Sequence, residues 1–265
     1  MDKTKIDWCD STWNPVTGCL HGCEYCYARG IAKRFSYEGA TLDAPPELQR
    51  TWIIDSKGSL AGNRVLRYPV ETVGGKKVPY PFGFEPTLHR YRLSEYQNKK
   101  ARNIFVCSMA DLFGEWVPDE WIEEVFEACE KAPQHNYLFL TKNPKRYEKV
   151  LDRYMPPNMW FGWSQTGPMG NKCDFTTHHS VRIFISIEPL LEPFKEFHIR
   201  GVDWVIIGAE TGRRKDKVMP KREWIEDIVN ECRKADVPVF MKSSLADIWG
   251  EPLVQEFPIE LRHEN

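Results

Sequence analysis

Six short runs of apolar residues recur along the chain, and they restrict its fold more than any other feature. They are Ile104–Cys107, Tyr137–Leu140, Met159–Trp163, Ile183–Ile187, Trp204–Ile207 and Val237–Met241. Each is apolar almost without alternation, as a strand must be when both faces of a parallel sheet are covered. Weaker runs lie around Thr12 to Val16, before Cys19, and near Glu85 to His89. With these, eight strands are expected. The predicted class is α/β, a parallel (β/α) barrel, partial or complete, of six to eight strands.

Two amphipathic stretches support that class. Glu120 to Ala132 places Trp121, Ile122, Val125, Phe126 and Cys129 on one helical face, and Glu223 to Ala235 repeats this with Trp224, Ile225, Ile228, Val229 and Cys232. Each stretch follows an apolar strand and a glycine-containing loop. Each precedes another strand that runs into a lysine, Lys142 or Lys242. A repeated strand-loop-helix-strand unit is the mark of a parallel barrel. Residues 40–83 break this rhythm with Pro45-Pro46, Gly58, Gly62 and the turn signal Gly74-Gly75. They predict an insertion with a hairpin, and Trp52, Ile53, Ile54, Val65, Leu66 and Tyr68 give it something to pack. The expected organisation is one domain over 1–265, interrupted there.

Composition removes several classes of function. The chain of 265 residues is 42% hydrophobic and 28% charged, enough to bury a proper core. No run approaches the roughly 18 apolar residues of a membrane span. The segment Met1 to Lys5 leads into no apolar stretch, so no signal peptide is expected. A net charge of -2 argues against a globally basic nucleic-acid binder and leaves room for a local patch. There are eight cysteines. Cys19, Cys23 and Cys26 crowd together while Cys9, Cys107, Cys129, Cys173 and Cys232 are scattered. That spacing points to a reducing cytoplasm and one metal or cluster site, not to a disulfide framework.

The loop Gly18-Cys19-Leu20-His21-Gly22-Cys23-Glu24-Tyr25-Cys26-Tyr27 carries the functional signal. Its three thiols can converge on one small inorganic centre. Gly18 and Gly22 permit the left-handed turns that a wrapping loop needs. Three protein ligands on a four-iron cube leave one iron open, whereas structural zinc takes four. Cys9 as a fourth ligand keeps zinc in play.

The C-x3-C-x2-C loop, with Tyr25 directly before its last cysteine, resembles the signature of the radical SAM superfamily. Further segments are similar to a largely phage-borne branch of it: Thr12–Cys19, Ser108–Phe113, Leu140–Pro144, Ile187–Leu190 and Gly208–Gly212. The resemblance implies that Cys19, Cys23 and Cys26 each ligate one iron of a 4Fe–4S cluster, and that the open iron chelates S-adenosyl-L-methionine (SAM). One electron from a donor such as flavodoxin or ferredoxin would then cleave SAM to methionine and a 5′-deoxyadenosyl radical that abstracts hydrogen from substrate. Tyr25 would lie near the adenine. The superfamily's usual Gly-Gly-Glu segment is not evident, which leaves the contact to the methionine amino group unassigned.

A parallel barrel presents its chemistry at the C-terminal ends of its strands. Here those ends read Ser108 and Asp111, Thr141 and Lys142, Ser164 and Gln165, Glu188, Glu210, and Lys242. Thr141, Ser164 and Gln165 suit ribose hydroxyls or methionine. Glu188 or Glu210 suits a ribose hydroxyl or an ammonium group. Lys142 suits a carboxylate or phosphate. Arg213, Arg214, Lys215, Lys217, Lys221 and Arg222 crowd one loop and could steer a phosphate-bearing substrate or nucleic acid. Trp116, Trp160 and Trp163 offer stacking surfaces, and His178-His179 reads as exposed loop. The competing expectation is a non-enzymatic nucleic-acid-binding module built on zinc or an iron–sulfur cluster.

Overall fold

The computed structural model describes residues 4–36, 64–72, 74–168, 181–194, 197, 199–212 and 214–262. Trp52, Ile53, Ile54, Cys173, His178, His179 and Arg213 fall outside the described residues. Among the described residues the strands are β1 (Ser11–Trp13), β2 (Val16–Thr17), β3 (Arg64–Leu66), β4 (Thr87–His89), β5 (Asn103–Val106), β6 (Asn136–Thr141), β7 (Met159–Ser164), β8 (Arg182–Ile187), β9 (Trp204–Ile207) and β10 (Val239–Met241). The α-helices are α1 (Tyr27–Arg34), α2 (Asp119–Glu130), α3 (Lys145–Val150), α4 (Arg222–Lys234) and α5 (Ala246–Trp249). Two compact units emerge. One comprises Met1–Ser11, Arg102–Phe105 and His135–Asn265, the other Thr12–Ala101 and Val106–Gln134.

The first unit is built on a seven-stranded parallel sheet in the order β1-β5-β6-β7-β8-β9-β10. Its two outer strands, β1 and β10, do not pair with each other, so the sheet is a partial (β/α) barrel. Register runs from Tyr137 opposite Met159, through Phe184 opposite Trp204, to Met241 opposite Ile207. The six apolar runs seen in the sequence are β5 to β10. Both faces are covered, as their continuous apolarity requires. Leu138, Trp160, Phe184, Trp204, Ile206 and Phe240 pack with Trp8 and Phe105 in one cluster. Phe139, Phe161, Ile185 and Val205 are buried at the alternate positions. Helix α2 connects the neighbours β5 and β6, and α4 connects β9 and β10, which is the repeated unit expected. Trp121, Ile122, Val125, Phe126 and Cys129 are all buried. In α4 the stripe is narrower: Ile225, Ile228, Val229 and Cys232 are buried while Trp224 is half-buried.

Seven strands fall within the expected six to eight, and of the two weaker runs only part of the first joins the large sheet. The run Thr12 to Val16 is divided, because Pro15 has no N–H for a ladder. Ser11–Trp13 stays in the large sheet. Val16–Thr17 leaves it and pairs antiparallel with β4, the strand expected near Glu85 to His89. β4 in turn pairs parallel with β3. A separate three-stranded sheet, β2-β4-β3, results in the second unit. The expected hairpin is present: Glu71 bridges Lys77, Val78 N–H donates to Val70 O at 2.8 Å, and Gly75 turns at φ 75°. Among the described residues no helix is long and apolar enough to cross a membrane.

Candidate functional site

β2 feeds directly into the cysteine loop, and α1 starts immediately after Cys26. Gly18 roots the loop. Its φ is +89°, and a Cβ there would stand 2.2 Å from the Glu85 carbonyl oxygen, closer than atoms can approach. Gly22 also has positive φ, +72°, but faces open space. Gly18 N–H donates to Met109 O at 2.9 Å, and Cys19 N–H to Phe84 O at 3.2 Å. The segment that leaves β5 therefore runs beside the loop, with Gly18 bridged in parallel to Ala110.

That neighbouring segment is heavily bonded. Cys107 turns it sharply with a left-handed φ of 58°, and its N–H donates to Trp13 O at 2.7 Å. Asn14 Oδ1 accepts from Met109 N at 2.8 Å and from Ser108 Oγ at 3.2 Å. Tyr27 Oη donates to Ser108 O at 2.8 Å. Asp111 Oδ1 accepts from Phe113 N at 3.0 Å, and its Oδ2 lies 2.7 Å from His21 Nε2. Trp116 meets the His21 ring edge-on at 4.8 Å between centroids. Ser108 and Asp111 thus stand beside the cysteines, together with Asn14 and His21, which are not among the site residues expected from the sequence. His21 had one signal in the sequence, its place between Cys19 and Cys23.

Beneath the loop root lies a buried polar relay. Thr17 Oγ1 is 2.8 Å from His89 Nε2, and His89 Nδ1 is 3.2 Å from Tyr91 Oη. Tyr91 Oη accepts from Arg92 Nε at 3.2 Å, and Arg92 donates further to the carbonyls of Asn14 and Pro79. Burial and the nearby Arg92 charge hold the His89 imidazole neutral, well below its ordinary pKa.

Cys19, Cys23 and Cys26 are all half-buried. Burial pushes the Cys19 thiol up to about 12, and the nearby Asp111 carboxylate adds to this. Three thiolates here need a cationic centre to offset them, and the donor set suits an iron–sulfur cluster. Among the described residues no three His, Cys, Asp or Glu side chains are gathered tightly around one point. Thiolates that bind separate corners of a four-iron cube need not converge on one point. Tyr25 is half-buried in the same loop. Cys9 belongs to the other unit. It packs against the cluster around Trp8 and Phe105, and burial pushes its thiol up to about 12.

In the unit of the large sheet, strand parity sorts the expected residues. Ser164, Glu188 and Lys242 continue the rows of Trp160, Phe184 and Phe240 at the C-terminal ends of β7, β8 and β10. Lys242 Nζ donates to Glu188 Oε1 at 2.5 Å, both side chains half-buried. The pair spans β9 where Gly208 leaves room: a Cβ there would lie 3.0 Å from Lys242 Cδ and 3.2 Å from Glu188. Thr141 is buried on the alternate row and accepts from Asn143 N at 2.9 Å, with Lys142 half-buried beside it. Gln165 is spent locally, accepting from Trp163 Nε1 and donating to Gly167 O. Glu210 accepts two bonds from Arg214, both 2.7 Å, and that guanidinium holds its carboxyl below the usual range. The basic loop is therefore weaker than its composition. Arg214 is committed to Glu210, Arg222 to Glu226 and the Trp249 carbonyl, and Lys215, Lys217 and Lys221 are exposed. Trp160 and Trp163 are core residues with no face free for stacking, because strand β7 buries both of its sides.

A family described as "Protein of unknown function (DUF5131)" matches residues 3–255. No curated protein matches the chain. Two solved structures are similar to it. One is spore photoproduct lyase complexed with dinucleoside spore photoproduct, at 10% identity and a TM-score of 0.45, covering 90% of this chain and 74% of that one. The other is a cysteine-to-alanine mutant of that lyase with dinucleoside spore photoproduct, at 9% identity and 0.46 over the same shares.

Proposed function

This chain belongs to the DUF5131 family, and we propose that it is a radical SAM enzyme. The observation that carries the reading is the loop of Cys19, Cys23 and Cys26: three half-buried thiols at the signature spacing, on a turn that only glycine can root at position 18. When bound there, a 4Fe–4S cluster would supply the reductive cleavage of SAM that yields a 5′-deoxyadenosyl radical. The chain's own residues orient and shield. Gly18, Asn14 and Asp111 fix the loop against the segment that leaves β5, and Tyr25 offers an aromatic face to the nucleotide. In the unit of the large sheet, the Glu188–Lys242 pair, with Ser164 and Lys142, offers charged and polar groups to a ligand at the strand ends. The substrate is a phosphate-bearing molecule, a nucleotide or nucleic acid, attracted by Lys215, Lys217 and Lys221. A flavodoxin or ferredoxin supplies the electron.

The test is anaerobic reconstitution. The protein should take about four irons per chain with matching sulfide, and after reduction convert SAM to 5′-deoxyadenosine and methionine. Replacing Cys19, Cys23 and Cys26 together by Ala should abolish iron binding, while Cys9→Ala should spare it. Stoichiometric zinc without sulfide would sink the proposal.

A further inference from the structure

We infer that His21 is an exchangeable fourth ligand of the centre held by the cysteine loop, binding through Nδ1 the position that three thiols leave open; this rests on the reading of the loop given above. His21 sits between Cys19 and Cys23. Its Nε2 is 2.7 Å from Asp111 Oδ2, and that carboxylate is more than nine-tenths buried, with its side chain 6% exposed. Asp111 is itself locked, since its other oxygen accepts from Phe113 N. A carboxylate only accepts, so in the neutral imidazole the proton resides on Nε2. Nδ1 is then a bare lone pair with no hydrogen-bond partner among the described residues.

A histidine that ligates a metal characteristically donates its other ring N–H to a carboxylate, which fixes the tautomer and raises the basicity of the ligating nitrogen. His21 has that second half of the arrangement already built. Trp116, edge-on at 4.8 Å, restrains rotation of the ring. Loop anchoring does not account for the pair, because backbone bonds from Gly18 to Met109 and from Cys19 to Phe84 already pin the root. Nor does mere packing explain it, as the imidazole side chain is 22% exposed.

The exchange balances without redox chemistry. The Nδ1 lone pair forms a bond to the fourth iron, and the Nε2 proton stays on the bond to Asp111. The amino nitrogen and carboxylate oxygen of SAM replace the imidazole when the nucleotide binds. No electron is transferred; the proton that the SAM ammonium sheds in order to ligate passes to solvent. The resting centre is thereby closed to water and oxidants and opened by its own cofactor.

The experiment uses full-length protein reconstituted anaerobically, read by pulsed electron-paramagnetic resonance of the reduced centre and by X-ray absorption at the metal edge. Wild type should show one imidazole nitrogen coupling, which His21→Ala lacks and added SAM removes. Calorimetric affinity for SAM should rise about tenfold in His21→Ala, as expected when the imidazole occupies the position nine times in ten. His21→Gln keeps a partner for Asp111 without an imidazole and must also lose the coupling, which guards against a misfolded Ala variant. A nitrogen coupling absent from wild type, or an unchanged affinity for SAM, overturns the inference while leaving the cluster intact. Zinc in place of iron refutes the radical reading alone. The zinc edge then still reports whether His21→Ala exchanges a nitrogen neighbour for oxygen. Protein that takes neither metal overturns both.

Discussion

His89 is fully buried yet offers two ring nitrogens, and both find partners in Thr17 and Tyr91. Protonation would place a charge beside Arg92 at a fully buried position, so the folded protein keeps this ring neutral. The sign of the pH effect follows. The folded pKa lies below the ordinary 6.5, so the unfolded chain takes up this proton first as pH falls. The contribution to stability is complete above 6.5 and is lost below it, at up to about 1.4 kcal/mol per pH unit for one proton. Denaturant unfolding at pH 7.5 and 5.5 should show that loss in wild type, and His89→Gln should flatten the difference. Equal slopes in both proteins would refute the assignment. Thr17 is separated from His89 by 72 residues and His21 from Asp111 by 90, so neither pair can be read from local spacing.

Among the elements, the cysteine loop depends most on one backbone torsion. Gly18 and Gly22 look alike in the sequence, and both turn left-handed. Only Gly18 is also jammed against Glu85 O at 2.2 Å, where rigid backbone cannot yield. Gly22→Ala should cost about 1–2 kcal/mol, the usual penalty of a left-handed side chain, and retain iron binding. Gly18→Ala should displace the loop from β4's entry segment and eliminate cluster assembly. Iron and sulfide content after reconstitution measures the difference, and a Gly18→Ala protein with full iron content would contradict the geometry. The repeated helices, by contrast, were legible. Their apolar stripes at helical spacing set α2 and α4 between successive parallel strands, and only the half-buried state of Trp224 departs from the pattern.

For the whole molecule, a net charge of -2 makes any affinity for nucleic acid a matter of local charge. Among the described residues of that loop, Arg214 and Arg222 are committed to carboxylates, while Lys215, Lys217 and Lys221 are exposed. Three phosphate contacts give a log–log salt slope of roughly -2.7 on duplex DNA. Filter binding across a salt series should return that value, and Ser at all three lysines should bring it near zero; binding that survives the change would place the contact elsewhere. The sequence by itself determined the parallel α/β class, the six strands from β5 to β10, the two connecting helices and the three-thiol loop. Each of these is written in local periodicity or spacing, which the chain carries wherever it folds. Tertiary structure alone decided that Pro15 sends Val16–Thr17 into a second sheet, that Gly208 lets Lys242 reach Glu188, and that His21 meets Asp111. Such pairings depend on which distant segments become neighbours, and a buried charge or donor takes whatever partner the fold brings within about 3 Å.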